Sequence, residues 1–376
     1  MMKLVFAFDS FKGSVDARRL CDLAVDFFAQ KEPTWQCLAM PLADGGENTA
    51  EIVAANLGGE LKALGHAKGP IDGMECAGDY VLLPDSRAVL EMANCSGLAQ
   101  LGLNGKNPLA STTYGTGQVL RHLIEQSVEE IMLTLGGSAT NDGACGAAAA
   151  AGWKFYNKSG ESFIPRGGTL LDIKDFEAPD DWGTWPKVLA LCDVRNPMTG
   201  PNGAAHVFGP QKGADLDQVE LIDRGLKHLA KLIKDKLGID VEDYPGAGAA
   251  GGFGGGAMAF FKAKLVPGIE TILDWFEADE KLRDADWLIS GEGCLDGTSF
   301  QGKVVGGICS RYQSSNTLKL GALAGAVRAK DSEISEAGLS YVGQCMKTGQ
   351  SEAEAFAKAE ENFLCALEDF YAFTKS

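Results

Sequence analysis

Apolar and polar residues along this chain follow two alternating periods. LVFAF (4 to 8) is a short continuous apolar run, as expected of a strand buried on both faces, and beyond Ser14 the residues Leu20, Leu23, Ala24 and Phe27 fall on one face at helical spacing. That helix stops near Pro33, a second strand covers 35 to 43, and after the turn ADGGENT a helix carries Ala50, Val53 and Ala54. The rhythm recurs downstream: an apolar strand into LTLGG, another into Asp193, a helix from about 216 to 237, a helix over 268 to 278, a strand at 286 to 290 and a further one in LKLGALAG. Strands alternating with helices predict an α/β fold with mainly parallel sheets. Residues 60 to 92 break the pattern, because Gly69, Pro70 and Gly73 interrupt them and YVLLPDSRAVLEM reads as a β-hairpin; a domain junction is placed near residue 80. The last quarter resembles the first in style and is expected to return to its sheet.

Several strands end on the same chemistry. LVFAF runs into Asp9, CLAMPLA into Asp44, VLALC into Asp193, and WLIS into Gly291 and Glu292. A further strand runs into GGSATNDG (136 to 143), where a glycine-rich turn precedes an alanine-rich helix and offers Ser138, Thr140, Asn141 and Asp142. Such a turn can be an ordinary capped connection, but backbone N–H groups at a helix start also suit an anion. In open parallel sheets ligands bind outside the carboxyl ends of strands, so repeated polar strand ends predict one acidic active-site mouth.

Composition narrows the choice of chemistry. The 376 residues allow two domains, and 34 Lys plus Arg against 51 Asp plus Glu give a net charge of −17, which argues against nucleic acid or an anionic membrane as partner. No window is apolar enough for a membrane span and no secretory leader is read at the N-terminus, so a cytoplasmic protein is expected. The ten cysteines lack metal-ligand or disulfide spacing and read as small core residues.

Two nucleotide motifs nearly match. GAGAAG (246 to 251) satisfies G-x-G-x-x-G, yet DVEDYP before it is no hydrophobic strand; GTSFQGK (297 to 303) satisfies G-x-x-x-x-G-K, yet Val304 stands where a hydroxyl is needed. Lys303 keeps the reach to a phosphate. In CDVRNPMTG (192 to 200) and GAAHVFGPQKGA (203 to 214), a compact loop fixes Lys212 near the strand end of Asp193, a suitable cation for an anionic ligand. His206 reads as a packing histidine, and no Ser-His-Asp, H-E-x-x-H or G-x-S-x-G pattern exists.

DSFKGS (9 to 14), ADGGE (43 to 47), TTYGTG (112 to 117), GGSATNDG, CDVRNP (192 to 197), VFGPQKGA (207 to 214), PGAGAAGG (245 to 252) and GEGCLD (291 to 296) together resemble the type I glycerate kinase family, across nearly the whole chain. Asn48 stands where that family commonly has glycine, and Cys145 and Cys294 replace residues usually of another type. The resemblance implies a two-domain α/β enzyme, a Rossmann-like first domain of 1–80 plus 285–376 interrupted by an inserted domain of 81–284, with the active site in the cleft between them. It implies ATP-dependent phosphorylation of D-glycerate, at the 2-hydroxyl, with Mg²⁺ as cofactor and a monomer or homodimer as the assembly.

Phosphoryl transfer needs cations and backbone donors around phosphates, carboxylates for the metal and a carboxylate for the attacking hydroxyl. Lys12, Lys212 and Lys303 are the candidate cations. Asp44, Glu292 and Asp296 are the candidate metal carboxylates, and Asp193 is the candidate base because a strand-end carboxylate is held more rigidly than Glu47 on a helix. Asp44 and Lys12 are also expected at the reacting centre. Gly45, Gly46, Gly136, Gly137, Ser138, Thr140, Asn141 and Asp142 are expected to bind phosphate or substrate, and by the resemblance so are Ser10, Thr116 and Asn196. The rival readings are an NAD(P)-dependent hydroxy-acid dehydrogenase using the glycines at 246 to 256, and a non-catalytic sugar-acid-binding protein.

Overall fold

The computed structural model describes residues 1–46, 48–102 and 105–376; Glu47, the helix carboxylate weighed against Asp193, lies outside them. The strands of its two main sheets are, in chain order, β1 (Lys3–Phe8), β2 (Gln36–Ala39), β3 (Glu60–Ala63), β4 (Asp79–Leu82), β5 (Arg87–Glu91), β6 (Glu130–Thr134), β7 (Lys187–Leu191), β8 (Lys264–Val266), β9 (Trp287–Gly291), β10 (Lys319–Ala324) and β11 (Leu339–Gln344). The chain divides into two compact units, Met1–Asp44 with Pro267–Ser376, and Gly45–Val266.

The first unit is built on an all-parallel sheet of order β11-β10-β9-β1-β2. The last quarter of the chain thus returns to the sheet begun by the first strand, as its pattern suggested. β1 is interior, between β9 and β2, and wholly apolar in its buried stretch Leu4–Phe8, which needs helices on both faces. One is Ala17–Lys31, started by Asp16, whose carboxylate accepts from the Arg19 N–H at 2.8 Å, and burying Leu20, Leu23 and Ala24 while Phe27 stays half-buried. Beside it on the same face lies Ala359–Lys375, whose Phe370 ring meets Phe28 of the first helix and whose Phe363 and Phe370 rings meet Phe8 and Trp287 edge-on.

The second unit holds a sheet of order β8-β7-β6-β5-β4-β3, parallel from β8 to β5 and antiparallel through the hairpin to β3. The hairpin expected at 80 to 92 is present, but the junction placed near it falls instead at Asp44/Gly45, and the return at Val266/Pro267 and not near 285. The cause is pairing. β3 adds to the hairpin through β4, and the helix Thr49–Leu57 packs on β4 and β5, which carries 45 to 80 into the second unit. The helix Gly268–Trp275 packs on Val304–Tyr312 and belongs to the first. The helix Leu216–Leu237 lies at the expected bounds, capped by the reciprocal Asp215 and Gln218 bonds and stopped by Gly238 at φ 72°.

Asn48 precedes the helix Thr49–Leu57 at φ 66°, in the left-handed region that glycine favours and asparagine tolerates, which accounts for its standing at a family glycine. Cys21, Cys95, Cys145, Cys309 and Cys345 are buried thiols, as expected of core residues, whereas Cys365 is exposed. Among the described residues no helix is long and apolar enough to cross a membrane.

Candidate active site

The strand-end carboxylates divide between the two sheets. Asp9, Asp44 and Glu292 follow β1, β2 and β9 of the first sheet, whereas Asp193 and the 136-to-143 turn follow β7 and β6 of the second. In the first sheet the chain runs from β1 outward to β2 on one side and later from β9 outward through β10 to β11 on the other. The order therefore reverses between β1 and β9, and a crevice for ligand opens beyond the carboxyl ends at such a point.

A cavity of about 600 Å³ lies there. Ser10, Lys12, Asp44, Glu292, Asp296 and Lys303 all line it, so these six candidates come together, whereas Gly45 and Gly46, expected in the same domain, belong to the second unit. Asp9 lines it too, a strand-end residue not singled out for a role. Its carboxyl is pushed up to about 7, first by burial and then by the neighbouring charge of Asp44, against the Ser10 N–H, which donates to it at 2.7 Å. Burial also raises the Glu292 carboxyl, although the Lys303 ammonium lies 3.6 Å from one of its oxygens. The other, Oε1, is buried without a hydrogen-bond partner. Asp296 accepts from the Thr298 hydroxyl and N–H at 2.7 and 2.8 Å, which hold its carboxyl below the usual range.

Among the described residues no group of three or more Asp, Glu, His or Cys side chains forms a ready metal cage, so Asp44, Glu292 and Asp296 are not one. Mg²⁺ does not require it, since it keeps waters and takes only one or two carboxylates besides substrate phosphates. An orphaned buried carboxylate oxygen on Glu292 and the mutual repulsion of Asp9 and Asp44 are what a divalent cation relieves.

In the second unit the turn after β6 is more deeply packed than its polar residues suggested. Gly136 and Gly137 are half-buried and exposed, but Ser138, Thr140, Asn141 and Asp142 are buried. Asp142 accepts from the Thr113 N–H at 2.8 Å, the Thr113 hydroxyl at 2.9 Å and the Gly146 N–H at 3.2 Å. Thr116 is fully buried, its hydroxyl 2.7 Å from that of Ser96. Both brace the scaffold. Thr140 Oγ1 and both amide atoms of Asn141 are buried without partners. Gly46 lies against the turn, since a β-carbon on Gly136 would come within 3.3 Å of its Cα; Gly45 beside it is buried at φ 88°. Asn196 donates to the Asn202 carbonyl at 2.8 Å, and its own carbonyl accepts from Gly248 at 3.0 Å. Asp193 is exposed beyond β7.

Lys212 is held rigidly, as its loop implied, but inside the protein. It is only 2% exposed and donates to the Ser138 hydroxyl at 3.0 Å and the Thr140 carbonyl at 2.7 Å. Burial pushes its ammonium down to about 7, opposed by the Asp142 charge. Between about 7 and 10.5 the unfolded chain carries the Lys212 proton and the folded protein does not, so this group makes stability rise with pH over that window. In Lys212→Met that rise should be lost, as read from urea midpoints at pH 7 and 9.5; an unchanged slope would mean that Lys212 stays charged in the fold. His206 pairs with Glu220 at 3.2 Å on the following helix, a packing role.

The glycine tract has a structural task. Within the helix Ala249–Phe260, Ala250, Gly251 and Gly252 are left-handed, and a β-carbon on Gly251 would stand 2.0 Å from the Thr140 carbonyl oxygen. Backbone seats against backbone at the 136-to-143 turn.

The glycerate kinase family model matches residues 4–375. The chain belongs to the glycerate kinase family. It is 37% identical over 377 residues to the glycerate kinase of Bacillus cereus, covering 100% of this chain and 98% of that protein. It is 34% identical to the glycerate 2-kinase of Escherichia coli K12, over 99% of this chain and 97% of the relative. The crystal structure of a candidate glycerate kinase 2 from Salmonella typhimurium LT2 is similar with a TM-score of 0.89 at 34% identity, covering 100% of this chain and 98% of that one. Family membership agrees with the packed glycine tract in giving the dehydrogenase reading no support.

Proposed function

We propose that this protein transfers the γ-phosphoryl group of ATP to D-glycerate, at the 2-hydroxyl, forming 2-phosphoglycerate and ADP. The observation that carries the reading is the end-to-end family match, joined to a cavity where carboxylates and lysines converge at the switch point of a parallel sheet.

The residues supply the parts that phosphoryl transfer requires. Lys12 and Lys303 present cations to phosphate oxygens. Asp44 and Glu292 would hold Mg²⁺, whose chemistry is to neutralise charge on the phosphates. Asp296, fixed by Thr298, keeps its charge at the rim. For the proton of the attacking hydroxyl, Asp9 is the strand-end carboxylate that lines the cavity beside Lys12 and Asp44, and burial with the Asp44 charge raises its affinity for a proton. We therefore favour Asp9 over Asp193 for that role. Within the second unit, the half-buried Gly136 and exposed Gly137 offer backbone N–H groups suited to an anion, with Lys212 and Ser138 behind them setting the turn.

³¹P NMR of the protein with ATP, Mg²⁺ and D-glycerate tests the reading. Appearance of 2-phosphoglycerate with ADP is expected; 3-phosphoglycerate would correct the position, and intact ATP would refute the activity. A chain of these residues is expected to work in the cytoplasm as a monomer or homodimer, which sizing chromatography addresses.

A further inference from the structure

The cavity at the end of β1 is larger than phosphate and metal need, and its far side is of another kind. Away from Asp9, Lys12 and Glu292, the lining gains an apolar patch of Val327, Met346, Ala355, Ala359 and the ring of Phe356, bordered by Arg328, Gln344, Glu352 and Asn362. Phe356 is 51% exposed, an aromatic side chain left open to solvent on the short helix Glu352–Ala357. That helix is set by Ser351 and Glu354, which bond to each other's N–H groups, and its platform is therefore preformed. The Phe356 ring also borders the loop of Lys12, since a β-carbon on Gly13 would lie 3.8 Å from ring atom Cε1. The nearby Gln344 amide is occupied, accepting from the Val327 N–H at 3.0 Å and donating to the Met346 carbonyl at 2.9 Å, so it holds the wall in place.

We infer that this apolar end is the adenine slot of the nucleotide, with the base stacked on Phe356 and the phosphates running past Gly13 to Lys12 and Lys303. The assignment deepens the kinase reading and rests on it. Two further points support it. A volume of about 600 Å³ is in the range that encloses a nucleotide-sized ligand, whereas glycerate has only a handful of heavy atoms. The buried, unpartnered Glu292 Oε1 marks the polar end as built for a ligand and not merely for solvent. An exposed aromatic face beside a cationic loop is the arrangement that accepts a base and its phosphates, and the face alone discriminates little among bases.

The test compares wild type with Phe356→Ala, Phe356→Leu and Phe356→Trp by calorimetric titration with ADP and, separately, with inorganic tripolyphosphate. Loss of base stacking in Phe356→Ala should weaken ADP binding by about tenfold or more, with tripolyphosphate affinity changed by less than about twofold. Phe356→Trp should restore ADP binding, and Phe356→Leu should fall between, so that a folding defect in the alanine variant does not decide the matter. Unchanged ADP affinity in both Phe356→Ala and Phe356→Leu overturns the slot, as does equal loss of ADP and tripolyphosphate binding. Wild-type protein that binds ADP through Phe356 yet leaves glycerate unphosphorylated refutes the activity and leaves the slot standing. Phosphorylation by a Phe356→Ala protein with wild-type ADP affinity refutes the slot and leaves the activity standing.

Discussion

Asp9→Asn is expected to lower kcat on the order of 10²-fold or more, because it keeps the size and the Ser10 contact of the side chain while removing the proton acceptor. The wild-type enzyme should also gain activity as pH rises to about 7, the range where the buried Asp9 carboxyl loses its proton, and the asparagine variant should lack that limb. A bound divalent cation moves the limb lower by favouring the ionised form. Asp193→Asn, at an exposed position beyond β7, should have the smaller effect. Near-normal turnover of Asp9→Asn beside a crippled Asp193→Asn would return the role to Asp193. Circular dichroism of both variants separates chemistry from misfolding.

The second large effect is on stability. Gly251 has φ 72°, and a β-carbon there would stand 2.0 Å from a backbone oxygen that cannot swing away. Gly58, at the end of the helix Thr49–Leu57, has nearly the same φ of 71° but nothing within 4 Å. Gly58→Ala should therefore lose only about 1 kcal/mol, the conformational cost of a left-handed alanine. Gly251→Ala adds a forced separation of two backbones and should lose more than about 3 kcal/mol, lowering the thermal midpoint by roughly 6–12 °C. Equal shifts in the two variants, measured calorimetrically, would show that conformation alone matters and that the close approach does not.

What the sequence disclosed and what it withheld follow from the range of the forces involved. Local signals were reliable: the apolar run at Leu4–Phe8, the capped helix Leu216–Leu237 and the hairpin of β4 and β5 are set by neighbours in the chain. The polar strand ends at Asp44 and Glu292 were legible because a carboxylate straight after an apolar strand has few structural reasons to be there. The unit boundary was not legible. β3 reads ELKA with every residue exposed, so nothing in its pattern marks it as an edge strand of the second sheet. Nor could the residue string show that Thr140, Asn141 and Asp142 turn inward, since that orientation is imposed by a glycine tract more than a hundred residues later. Asp9 was visible as a strand end, but its raised proton affinity depends on Asp44 and on burial. Phe356 sits in a helix whose sequence EAEAFA gives one aromatic among small and acidic residues, a pattern that acquires meaning only beside the cavity.

The place of β1 has a bearing on how the protein is made. It lies between β2 and β9, its Phe6 stacked on Phe28 of Ala17–Lys31 and its Phe8 against Phe363 of Ala359–Lys375. In synthesis, then, β1 precedes β9, β10 and β11 by the whole of Gly45–Val266, so one side of its sheet is paired only after the second unit has all its strands. A permuted gene that begins at Pro267 would remove that interval by delivering β9, β10 and β11 just ahead of β1.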